Sequence, residues 1–110
     1  MKIDHEFLTA EKSRIEGNEG KARVCARRAV GFAIQAKLHS HGINVKAPDL
    51  QTLTKIFLEE IETPEKLKEI IDHMSLKVNH KVDSKSTFWP YPEIDLIEEA
   101  KYFVENILSN

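Results

Sequence analysis

The chain has 110 residues, enough for one domain that buries roughly two thirds of its unfolded surface around a single core, and too few for a second. Charged residues make up 31% and the hydrophobic set 41%, which excludes a disordered chain; a net charge of -2 excludes any global pull toward nucleic acid or an anionic membrane. A lone cysteine, Cys25, forms no internal disulfide, the amino-terminal MKIDHEFLTAEK has no apolar signal core, and no run approaches the roughly 18 to 20 apolar residues of a membrane span, so a cytoplasmic protein with no membrane partner is expected.

In chain order, the spacing predicts a first helix over residues 4 to 15, with Phe7, Leu8 and Ile15 on one stripe and Asp4 as its cap. EGNEG then ends or kinks it, because Gly17 and Gly20 would each cost about 1 kcal/mol in a helix interior. From Glu19 to Gly42 runs the longest helical pattern, holding three of the four arginines. Its faces are unequal. Ala22, Ala26, Ala29, Ala33 and Ala36 form a lean seam bordered by Cys25 and Phe32. Val30, Ile34 and Leu38 form a second face into which Arg23, Arg27 and Gly31 project, and Lys21, Arg28, Gln35 and His39 form a narrow polar strip. Gly42 suits the left-handed carboxy-terminal cap, with His39 and His41 over the negative end of the dipole.

Pro48 opens a third helix carrying Leu50, Leu53, Phe57 and Ile61 to about Glu62; Thr63 as cap and Pro64 at the first helical position open a fourth with Leu67, Ile70, Ile71, Met74 and Val78. The segment from Asn79 to Tyr91 is long for a connection in a bundle. Phe88 to Pro92 is its stiff aromatic end, expected to pack over the bundle, although Trp89 near Lys77, Lys81 and Lys85 would also suit a base-stacking platform. A final helix spans about Glu93 to Leu108, with Leu96, Ile97, Ala100, Phe103, Val104, Ile107 and Leu108 on one side. The fold class is therefore all-α: one bundle of about five helices over residues 1 to 110, with no β-sheet.

The central ARRAVGFAIQAKL, the glycine turn after it, the Asp49 and Leu50 pair opening a short helix, and Tyr91, Pro92 and Glu93 ahead of Glu98, Glu99 and Ala100 together resemble the HEPN family of small helical bundles. The resemblance covers about Ala22 to Leu108 and implies a homodimer and a nucleotidyltransferase partner. Family members that cleave RNA carry an Arg followed by a His near the start of the last helix. Here Arg28 is the last arginine, His80 the last histidine, and Pro90 stands before Tyr91. Without the pair there is no positioned cation for a phosphodiester transition state and no adjacent general acid or base. The resemblance thus implies a non-catalytic binding or regulatory module, acting through protein contacts or nucleotide or RNA binding. The alternative is a ribonuclease or nucleotide-processing enzyme with an altered site built from Arg23, Arg27 and His80.

Among individual residues, Arg23 and Arg27 need either a carboxylate of the first or last helix, a ligand, or a second chain. As a ligand-binding set they are joined by Gly31, which leaves room for a phosphate or nucleotide beside the guanidinium fork. The two histidines at 39 and 41 do not share a face, and no metal site or cofactor is expected. Cys25, beside the seam, reads as a buried inert thiol. An alanine seam and an aliphatic face on one helix also ask for more neighbours than four short helices supply, a second reason to expect a dimer.

Overall fold

The computed structural model describes residues 2–45, 49–74 and 95–108. In them lie five helices: α1 (Lys2–Ile15), α2 (Glu19–Ser40), α3 (Leu50–Glu60), α4 (Glu65–Met74) and α5 (Leu96–Leu108). No strand occurs among the described residues, so the chain forms the expected all-α bundle. Pro48, Val78, the lysines 77, 81 and 85, His80, Phe88, Trp89 and the run from Pro90 to Glu93 lie outside the described residues.

α2 is the axis. α1 packs along most of its length, α5 covers a second side and α3 a third, while α4 rests on α5. Glycines produce the two turns that allow this. Gly17 and Gly42 both have positive φ, +83° and +80°. Each sits at the position where the following amide reaches back to close the helix end: Asn18 N–H donates to the Ser13 carbonyl at 2.7 Å and Ile43 N–H to the Leu38 carbonyl at 2.9 Å. Asn18 then caps α2, its side-chain oxygen accepting from Lys21 N–H at 3.1 Å. One short turn therefore joins α1 to α2 as a hairpin, and Lys2 near one end of α1 lies over the ring of Phe32, 5.5 Å from its centroid.

The buried side of α1 differs from the stripe its large residues suggest. Ile3, Ala10 and Ser13 are buried, Phe7 is half-buried against the core, and Leu8 and Ile15 face out. A lean seam on α2 rewards small residues opposite it, since backbones that approach closely leave no volume for leucine. Asp4 lies within the first turn, because the helix begins at Lys2, and is not its cap. On α2, Ala22, Ala26, Ala29, Ala33, Val30, Ile34 and Leu38 are all fully buried. Ala36 is the departure from the expected seam: it is exposed, one turn past Phe32, over whose ring Lys2 lies.

Helix starts shift by small amounts. Asp49 caps α3, its carboxylate accepting from Thr52 N–H at 3.0 Å. Pro64 supplies the first helical carbonyl of α4, accepting from Lys68 N–H at 3.1 Å, while the Thr63 hydroxyl donates back to the Ile61 carbonyl, so Pro64 takes the cap position expected for Thr63. α5 starts at Leu96, later than the expected Glu93, with Asp95 as cap accepting from Ile97 N–H at 3.0 Å. Leu67, Ile70, Ile71 and Met74 of α4 and Leu96, Ile97, Ala100, Phe103 and Ile107 of α5 are buried as their periodicity requires, whereas Val104 is half-buried and Leu108, expected on the same side, is exposed. Phe57 and Phe103 join α3 to α5 with ring centroids 5.8 Å apart.

Candidate functional site

Among the described residues, no helix covers the sector of α2 that lies between α1 and α3. Successive turns there place Val24, Arg28, Phe32 and Gln35 on the same side, as steps of three and four residues demand. Between this sector and α3 lies a cleft of about 370 Å³, walled by Val24, Gly31, Phe32, Leu50 and Leu53, with Arg27 and Arg28 at its edge. That volume is within the range of roughly 300 to 1,000 Å³ usual for small-ligand sites. Its walls are almost wholly apolar, which suits hydrophobic side chains or an acyl or aromatic group better than a polyphosphate.

Of the three residues singled out from the sequence, the structure brings two to this cleft. Arg27 borders it, half-buried, and donates Nε–H to the Met74 carbonyl at 3.1 Å. This bond serves one of the carbonyls at the carboxy-terminal end of α4 and ties α4 to α2. Burial lowers the Arg27 pKa from its ordinary value, and the positive charge of Arg23 lowers it further. Gly31 is buried in the cleft wall. A methyl placed there would meet the Leu53 and Leu50 tips at 3.8 and 3.9 Å, ordinary contact distances, so the glycine is not forced by close packing. Arg23, one turn before Arg27, is half-buried but does not line the cleft.

Arg14 bridges α1 to the last helix. Its guanidinium makes two forked pairs: Nε and Nη2 donate to Glu19 at 2.6 and 3.1 Å, and Nη1 and Nη2 donate to Asp95 at 2.8 and 3.1 Å. The end of α1 and the starts of α2 and α5 thereby meet on one planar group. The bonds to Glu19, then those to Asp95, raise the Arg14 pKa. Burial by itself would raise Asp95, but the Arg14 bonds and the Glu98 and Ile97 amides outweigh it and hold the carboxyl below its ordinary value. Sequence alone carries half of this signal, an Arg at a helix end with Glu19 just past the turn. Asp95 is 81 residues from Arg14 and carries no local hint of the pairing.

Other titratable groups divide between structural roles and open surface. His73 of α4 donates Nδ1–H to Glu99 of α5 at 2.7 Å, both side chains largely buried, so a histidine uninformative in sequence joins two helices. Glu6 of α1 is similarly covered, and Arg28 approaches it at 4.0 Å from the edge of the open sector. Burial raises the Cys25 thiol, with the Glu6 charge adding to it, in keeping with an inert core residue. His39 and His41 are exposed, and no group of three potential metal ligands occurs among the described residues. No helix among the described residues is long and apolar enough to cross a membrane.

No protein-family model matches the chain, and neither does any curated protein or solved structure.

Proposed function

We propose that this protein is a non-catalytic binding or regulatory module, HEPN-like in its helix order, that works through contacts made along the open sector of α2. The observation that carries this reading is the α2–α3 cleft itself: an apolar recess with cationic edges on a side of the central helix that no helix among the described residues covers. Its chemistry favours the protein-contact form of the reading over nucleotide or RNA binding. A nucleotide needs several polar partners for base, ribose and phosphates, whereas this wall offers hydrocarbon, and Arg27 already directs Nε to Met74.

Two measurements test the reading. A thermal-shift panel of nucleotides should leave the melting temperature unchanged; a concentration-dependent rise that disappears in Arg27→Ala would shift the assignment to nucleotide binding. Incubation with single-stranded RNA without added metal should give no cleavage. Cleavage that is lost in Arg27→Ala, with helical circular dichroism intact, would replace the binding module by the altered-site ribonuclease.

A further inference from the structure

The two most exposed large apolar side chains among the described residues are Leu8 and Ile15, 68% and 86% exposed. They stand seven residues apart on α1, so they share its outward face two turns apart, roughly 10 Å along the axis. Nothing in the packing of α1 against α2 uses them. The open sector of α2 holds a second recess, of about 540 Å³, lined by Ile3, Ala36, Ile43 and Val45 beside Lys2. It meets the α2–α3 cleft at Phe32 and Gln35, which border both. The α2 walls of the two recesses, Val24 to Gln35 and Phe32 to His39, centre about six residues apart, roughly 9 Å along the axis and close to the spacing of Leu8 and Ile15.

We infer that the open sector of α2 receives the outward face of α1 from a second copy of this chain, with Leu8 seated in one recess and Ile15 in the other. The inference rests on the reading of this sector as a contact surface and names its partner. Spacing is one reason and charge is the other. Lys2, Arg27 and Arg28 edge the two recesses and no carboxylate among the described residues lines either, whereas Asp4 and Glu11 run beside Leu8 and Ile15 and Glu16 follows at the helix end, outnumbering Lys12 on the same face. Docking α1 against the open sector brings unlike charges together. Glu11 also pairs with Lys101 of its own chain, and Glu6 lies beneath Arg28, so the attraction is moderated but keeps its sign. Two open sectors face to face would set Arg28 and Lys2 against their own copies, and two α1 faces would leave Leu8 and Ile15 without a recess. The contact therefore joins two different surfaces, either reciprocally about a two-fold axis or head to tail.

Sedimentation velocity from micromolar to near-millimolar protein should show the wild-type chain growing beyond one chain mass. The Leu8→Gln/Ile15→Gln chain and the Val24→Glu/Ala36→Glu chain should each stay at one chain mass, with unchanged circular dichroism because all four positions are exposed. Mixed one to one, these variants should form a two-chain species, since one keeps an intact α1 face and the other an intact open sector. A wild-type chain that stays at one chain mass throughout overturns the inference. So does a mixture that fails to pair although the wild type associates, because the surfaces then meet like with like. Association lost only in the Val24→Glu/Ala36→Glu chain removes α1 as the occupant but leaves the open sector as a contact surface, whereas the RNA cleavage described above removes that surface's assigned role.

Discussion

The closed and open sectors of α2 differ in what a single added carbon would meet. On the closed side, Ala22, Ala26, Ala29 and Ala33 are fully buried, and every methyl already has a neighbour. On the open side, Gly31 could take a methyl at ordinary contact distance, Ala36 is exposed, and Val24 is only partly covered. Small residues thus have opposite meanings on one helix. In the seam they are small because two helices approach closely; in the open sector they are small without any such requirement, which leaves the recesses described above.

Substitutions can break this contrast or sharpen it. The largest effect should come from Ala29→Leu, which forces extra methylenes into the closed seam and should cost about 1 to 3 kcal/mol in urea denaturation. A cost near zero would mean that the seam is not tightly packed. Next is Arg14→Gln, which frees Asp95 and Glu19 where three helices meet. The groups are partly exposed, so solvent screening limits the loss to about 1 kcal/mol at neutral pH. The sign of its pH dependence follows from Asp95, whose folded pKa lies below its unfolded value near 4. Its stabilisation is fully present above that value and is lost as pH falls through the folded pKa, so the gap between wild type and Arg14→Gln should narrow on acidification. A gap that widens in acid would assign the Arg14 effect elsewhere.

Gly31→Ala should act in the opposite direction to Ala29→Leu. Alanine has the better helix propensity and the space is there, so the denaturation midpoint should rise by an amount equivalent to about 0.5 to 1 kcal/mol. A loss of stability would show that the cleft wall is tighter than its contacts indicate. Arg27→Met should give the smallest change, within about 0.5 kcal/mol, because relief of a half-buried charge offsets the polar contacts that are lost, the bond to Met74 among them. A loss several times larger would make Arg27 a structural anchor comparable to Arg14.

Reading the chain for function singled out Arg23, Arg27 and Gly31 on α2. Arg27 and Gly31 do meet at a cleft on α2; Arg23, four residues earlier on the same helix, is outside it. Whether a side chain on one face reaches a recess depends on where α3 ends up, and Leu50 and Leu53 supply the far side of that wall from a part of the chain whose periodicity says only which side of α3 is apolar. Arg14 shows the same limit from the other direction, since its carboxylates come from the turn next door and from the start of α5.

By itself the sequence determined the all-α class, the dominance of the Glu19 to Gly42 stretch, the two glycine stops, and the buried faces of α4 and α5. These follow from periodicity, capping and φ preference, which act within a few residues. Only the tertiary structure decided which alanines are sealed, that Arg27 and Arg28 but not Arg23 edge a cleft, and that Leu8 and Ile15 face outward. Those outcomes depend on how α1, α3 and α5 are placed around α2, through contacts between residues far apart in the sequence.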